Sequence, residues 1–188
     1  KKMVAGSVEI QNDDIQFDNT LYFSYPIQEK IKILSINDNE VNYYLNNVFS
    51  DSLFDLTSFN TSQIKYNVLN QYNLIILDHI DNIKNSLINS IVKYIESGGI
   101  VFVFPKKNAN IDSYNELFLK TNTDNIDQYS LKKQTINKIN YQHRVFNSVF
   151  EKYEQNISLP KIQSYFSLSA NPKRNRLDIL NFINGDPF

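Results

Sequence analysis

The chain has 188 residues, 41% of them apolar, a formal net charge of −1, and neither cysteine nor tryptophan. That length fits one ordinary domain with room for a small appendage, and the near-neutral balance argues against an electrostatic hold on nucleic acid. The missing cysteines exclude disulfides, thiolate catalysis and zinc–thiolate sites, but leave the compartment open.

Residues 1–28 read as a separate β segment. Val8, Ile10, Ile15, Phe17, Leu21, Phe23 and Tyr25 form period-two patches, punctuated by Asn12-Asp13-Asp14 and Asp18-Asn19 and closed by Pro26. This predicts two or three antiparallel strands, either edge strands or the remnant of an upstream sandwich. Residues 29–188 read as an α/β domain with a β extension at its C-terminal end. Ile31 to Ile36 is the first buried strand. Val41, Tyr44, Leu45, Val48 and Phe49 follow at the spacing of one helical face, which predicts an inward apolar stripe. Phe54 to Phe59 is a short strand, and Ile64 to Leu69 a connector with one helical turn.

The clearest unit runs from Asn73 to Pro105. Asn73 to Asp78 is a strand, and Ile83 to Ser97 an amphipathic helix. Gly98-Gly99 stops that helix, and Ile100 to Phe104 is a second strand. A strand–helix–strand crossover requires a parallel pair. Gly98 falls just past the helix cap, where positive φ is cheap for glycine. Asp112 is expected to cap a further helix that turns Tyr114, Leu117 and Phe118 inward. Residues 120–142 read as polar and irregular. A helix is predicted over 143–153, and Ile162 to Leu168 and Leu177 to Ile183 read as late strands joined by a turn at Asn171-Pro172. The sequence stops on a turn, as a piece of a longer protein would. Most Phe and Tyr fall on strand or helix periodicities and are expected in the core.

In an open parallel sheet, ligands bind beyond the carboxyl ends of the strands, near the topological switch point. A 2-1-3-4 strand order would bring the first two such loops together. The residues carrying chemistry there are Asp38, Glu40, Asp78, His79, Asp81 and Lys106, the candidate cleft. Asp38 and Asp78 resemble the acidic pocket of a receiver domain, but Pro105 stands where a hydroxyl is required. The plainer reading is exposed loop carboxylates, with His79 solvated and His143 capping or packing at a helix start. The basic runs Lys106-Lys107, Lys132-Lys133 and Lys173 to Arg176 read as solvated loop charge. With four glycines in the chain, no phosphate-cradling loop can be built, so no nucleotide cofactor is expected. The two histidines form no metal motif. No catalytic, cofactor-binding or metal-binding residue is assigned.

Several segments together resemble the extracytoplasmic region of Bat-type (aerotolerance-regulator-like) bacterial envelope proteins. They are Phe17 to Tyr25, Ile31 to Ile36, Tyr43-Tyr44-Leu45 with Val48-Phe49-Ser50, Tyr72 to Asp78, Gly98-Gly99 with Phe104-Pro105, His143 to Phe146, and Asp178 to Phe188. The resemblance implies an Ig-like β segment followed by a flavodoxin-like, class I glutamine-amidotransferase-like parallel sheet flanked by helices. It also implies a place on the periplasmic side of the inner membrane, anchored through segments outside this sequence. No window here approaches the ~20 apolar residues of a membrane span, and the first residues do not form a signal peptide. An amidotransferase places a nucleophilic cysteine in a tight turn after a strand. Here Phe104 is followed by Pro105-Lys106-Lys107, so no active-site residue carries over. The expected function is a non-catalytic module that contacts other envelope proteins, without nucleic acid or cofactor. The alternatives are a small-molecule or sugar sensor, or a carboxylate-dependent hydrolase working at the strand ends.

Overall fold

The computed structural model describes residues 3–10, 19–27, 29–38, 42–146, 159–169 and 176–188. The chain starts with an antiparallel hairpin of β1 (Met3–Glu9) and β2 (Thr20–Pro26). Its register puts Val4, Gly6 and Val8 opposite Tyr25, Phe23 and Leu21, so one face is apolar. The Phe23 ring lies across Gly6, where a Cβ would meet it at 2.6 Å. Several of the hairpin's apolar side chains are exposed, including Val8, Leu21, Tyr22 and Tyr25.

The central unit then runs β3 (Ile31–Asn37), α1 (Tyr43–Val48), β4 (Phe54–Asn60), a 3-10 turn at Tyr66–Gln71, β5 (Leu74–Asp78), α2 (Asn85–Glu96), β6 (Ile100–Phe104) and α3 (Ile111–Lys120). Its four strands are all parallel, in the order β4-β3-β5-β6. This is the predicted α/β class and the 2-1-3-4 order, with the switch point between β3 and β5. One face of the sheet presents Leu34, Ile36, Ile75, Leu77, Val101 and Val103 to α2 and α3 and holds the main core. On α2, Leu87, Ile88, Ile91 and Tyr94 are buried, as the predicted stripe requires. That helix ends in a Schellman motif: Gly98 N–H donates to the Ile95 carbonyl and Gly99 N–H to the Tyr94 carbonyl, both at 2.9 Å. Gly98 has φ +90°, while a Cβ on Gly99 would collide with the Tyr94 ring.

The opposite face carries Ile33, Ser35 and Asn37 on β3, Ile76 and Asp78 on β5, and Ile100, Phe102 and Phe104 on β6, by strand alternation and register. Here the predicted stripe on the first helix fails. None of the six residues of α1 is buried, Tyr44 is 82% exposed, and Val41 lies outside the described residues. The start of α1 meets Asp78 through Asn42, so the helix docks there through a polar cap and not an apolar stripe. The aromatic expectation fails here too, since Tyr43, Phe102 and Phe104 are exposed.

Residues 120–142 are ordered strands and not the irregular stretch predicted. β7 (Asn125–Ser130) pairs with β10 (Tyr165–Ser169), and β8 (Gln134–Ile139) pairs with β9 (Lys161–Ile162) and β11 (Leu180–Phe182), all antiparallel. The predicted strand from Ile162 to Leu168 is broken into β9 and β10, which join different sheets, and the predicted strand from Leu177 to Ile183 holds β11 in the sheet of β9. Asn110, not Asp112, caps α3, its side chain accepting from the Asp112 N–H. His143 caps a 3-10 turn at Arg144–Phe146 by accepting from the Val145 N–H at 3.2 Å. The helix predicted over 143–153 lies mostly, and the turn at Asn171-Pro172 wholly, outside the described residues. No described helix is long and apolar enough to cross a membrane.

Candidate functional site at the carboxyl edge of the sheet

Parallel strands of nearly equal length end together, so β3, β5 and β6 deliver their following residues to one edge. Asp38 leaves β3, Asp78 ends β5, and His79 and Asp81 follow it, while Lys106 comes just after β6. The structure thus gathers five of the six predicted residues; Glu40 lies outside the described residues.

Asp38 is a loop organiser. Its Oδ1 accepts from the Thr61 hydroxyl at 2.5 Å and its Oδ2 from the Asp81 N–H at 2.7 Å. It therefore ties the loop after β5 to the turn after β4. Asp81 is exposed, pairs with Lys106 at 3.2 Å, and accepts the Asn110 N–H on its carbonyl at 2.8 Å. The reading of Lys106 as solvated charge is corrected to an ion pair. Lys107, its neighbour, sits 5.7 Å from the centroid of the Tyr129 ring.

Asp78 is the largest departure from the exposed-carboxylate reading. It is 1% exposed, at the end of a central strand. A buried carboxylate needs hydrogen-bond donors, and it has two on one oxygen. Asn42 Nδ2 donates to Oδ1 at 2.9 Å, and His79 Nδ1 lies 2.6 Å from the same atom. In a neutral imidazole whose Nδ1 donates to Asp78, Nε2 is the ring nitrogen that keeps a lone pair. The His79 side chain is 44% exposed, so the solvated reading holds for much of the ring, while Nδ1 is taken up by Asp78. Its backbone sits at φ +52°, a left-handed conformation costly for a residue with a Cβ, and its N–H donates to the Phe104 carbonyl at 2.9 Å.

Below this edge lies Tyr114 of α3, fully buried and donating its hydroxyl to the Ile80 carbonyl at 2.6 Å. Burial pushes its phenol well above the usual tyrosine range, and the carboxylates of Asp38, Asp81 and Asp78 push it the same way. Tyr114 is thus a neutral strut under three acids.

Asn42, Thr61 and Tyr114 are parts of this site that sequence reasoning missed. Asn42 carried a signal: an Asn directly before a helical run is a favoured N-cap. Thr61 and Tyr114 reach the edge only through tertiary packing.

Among the described residues two clefts stand out, and neither is lined by the five gathered residues. One, of about 480 Å³, lies between the first turns of α2 and α3, beside Asn82, Lys84 and Asp112. The other, of about 1070 Å³, opens in the C-terminal antiparallel region around Asn140, Arg176 and Asn181. There Arg176 bridges Asp124 at 3.1 Å and Asp178 at 2.6 Å, and the two carboxylates hold its guanidinium more firmly protonated. The reading of Arg176 as solvated charge is corrected accordingly. Among the described residues, no group of three His, Asp or Glu side chains is placed to hold a metal ion.

No protein-family model matches the sequence, and neither does any curated protein. The fold does match a solved structure. A protein from Bacteroides uniformis described as ThuA-like superposes with a TM-score of 0.56 at 16% identity, over 84% of this chain and 70% of that one. ThuA-like proteins have a flavodoxin-like, glutamine-amidotransferase-like fold, so the likeness shows that fold class for this chain.

Proposed function

We propose that this chain is a non-catalytic protein-interaction module of a Bat-type envelope protein, held on the periplasmic side of the inner membrane by segments outside this sequence. The amidotransferase-like fold supports the reading, since it lacks the cysteine on which that chemistry depends. The observation that carries it is how the strand-end groups are used. Asp38 is taken up by Thr61 and the Asp81 backbone, Asp78 by Asn42 and His79, and Asp81 by Lys106. Large apolar side chains meanwhile stand in solvent on the hairpin and on α1. The test is site-specific photo-crosslinking in cells from Tyr22 and from Tyr44. A discrete adduct with another envelope protein, abolished by substituting neighbouring apolar residues with serine, is the expected result. Absence of any adduct from either position, or location of the parent protein in the cytoplasm, overturns the proposal.

A second reading is favoured by the Asp78–His79 pair. A buried carboxylate hydrogen-bonded to a part-exposed imidazole is what a small-ligand site or a hydrolase acting at the strand ends would need. A thermal shift on adding a small molecule, lost in His79→Gln, would select this reading over the first.

A further inference from the structure

We infer that α1 is a cover that opens separately from the rest of the domain, latched to the sheet by Asn42 on the buried carboxylate of Asp78. The inference concerns the domain's own opening and holds whichever partner the domain contacts.

The contrast with the other helices comes first. Four residues of α2 and three of α3 are buried, but none of α1 is. A helix of six residues does not hold itself together in water, so α1 depends on its ends. At its start, one side chain does two jobs. Asn42 Oδ1 accepts the Tyr44 N–H at 3.0 Å and the Leu45 N–H at 3.3 Å, which caps the helix. Asn42 Nδ2 donates to Asp78 Oδ1 at 2.9 Å, which fastens the cap to the sheet. At the other end, Phe49 meets Phe54 at the start of β4, their ring centroids 5.3 Å apart and nearly perpendicular. Among the described residues the first contact is a polar one, Asn42 on Asp78; the second is apolar and adjoins the short loop into β4. Opening therefore means release at Asn42 and rotation about the Phe49 end.

What lies at the latch makes release inexpensive. Ser35, Asn37 and Asp78 are three of the four buried polar side chains in the core, and all three belong to the face of the sheet on which Asn42 sits. Asn37 Nδ2 already donates to the Ser58 hydroxyl at 2.7 Å, and Asp78 keeps His79 when Asn42 leaves. Water entering at Asn42 meets the Asp78 carboxylate, which it can satisfy, with the buried Ile76 and Ile33 further back along the strands, whereas lifting α2 would expose Leu87, Ile88 and Ile91 directly. The open form presents the Asp78 carboxylate at the switch point of the sheet.

Amide hydrogen exchange resolved to single residues tests this with two variants. Asn42→Ala removes both cap and latch. Asn42→Asp keeps a cap acceptor but has no donor and sets a second carboxylate against Asp78. In both, exchange at Tyr44 and Leu45 is expected to rise roughly tenfold, the scale of one lost hydrogen bond, with amides of β3, β5 and α2 unchanged. Wild-type exchange of α1 in Asn42→Asp would show that the cap alone matters and would overturn the latch. A parallel rise in the sheet and α2 amides in either variant would show that α1 opens only with the whole domain, and would overturn the cover.

Discussion

The two faces of the parallel sheet are made by the same four strands, yet they do different things. Leu34, Ile36, Ile75 and Leu77 point to one side and meet α2 and α3, which close over them without a buried polar break except Ser113. Their neighbours along the same strands, Ile33, Ser35, Asn37, Ile76 and Asp78, point to the other side, where Asp78 meets Asn42 at the start of α1. Since strand side chains alternate, the sequence of each strand is two interleaved texts. One specifies stability through area removed from water, and the other mixes two buried isoleucines, Ile33 and Ile76, with the hydrogen-bonded polar groups of Ser35, Asn37 and Asp78. Burying a Leu or Ile side chain contributes about 1.5–3 kcal/mol, whereas a satisfied hydrogen bond contributes about 1. The first face should therefore dominate the stability of the domain, and the second should carry what can be altered without unfolding it.

The sharpest way to break that contrast is to truncate each face in turn. Ile91→Ala on α2 removes a fully buried side chain and should cost about 2–5 kcal/mol, read as a lower midpoint in urea. Asp78→Ala strips the partner from Asn42 Nδ2 and His79 Nδ1. It should cost less, about 1–3 kcal/mol, because both donors are near enough to solvent to be rehydrated. If Asp78→Ala proves as damaging as Ile91→Ala, the second face is as structural as the first and the division fails.

A smaller effect tests how the first face is framed. Gly98 sits at φ +90° with nothing within 4 Å of an added Cβ, so Gly98→Ala meets only backbone strain. The expected cost is about 1 kcal/mol, again from the urea midpoint. A neutral substitution would mean that the end of α2 can re-form without its left-handed residue.

The same division explains what could be read from the sequence. The first face was legible because its signals are local. The stripe on α2, the Gly98-Gly99 stop and the unbroken Ile100 to Phe104 run each identify an element without knowledge of its neighbours, whereas the 2-1-3-4 order is only a supposition until the strand pairing is known. The second face was not. The stripe of Tyr44, Leu45, Val48 and Phe49 has the right spacing for burial, but whether it is buried depends on what the opposing strands offer, and at the start of α1 they offer Asp78. β7 and β8 were hidden for a related reason: each buries one residue, Ile126 or Ile136, and pairs with strands some 20–50 positions further along. The carboxyl-edge residues could be placed at one edge from the sequence because strand ends were legible. Their roles were not, since the donors that turn Asp38 into a loop tie and Asp78 into a buried acceptor, Thr61 and Asn42, come from outside those ends.

Tyr114 is the one residue that belongs to the first face and answers to the charges of the site. Its ring packs in the core, and its hydroxyl lies under Asp38, Asp78 and Asp81 while donating to the Ile80 carbonyl. Tyr114→Phe should cost about 1 kcal/mol at neutral pH, since it leaves that carbonyl without its donor. The pH dependence gives the sharper readout. The folded phenol is held above the unfolded value of about 10. Below that pH both states are protonated and the stabilisation is complete. Above it the unfolded chain releases a proton that the folded chain keeps, so the stabilisation drains away as pH rises. The gap in urea midpoint between wild type and Tyr114→Phe should therefore be constant up to about pH 10 and shrink beyond it. A gap that stays constant through that range would mean that the phenol ionises in the folded protein as readily as in water. The acids at the edge would then be too well solvated to act on the core, and the two faces would be electrostatically independent.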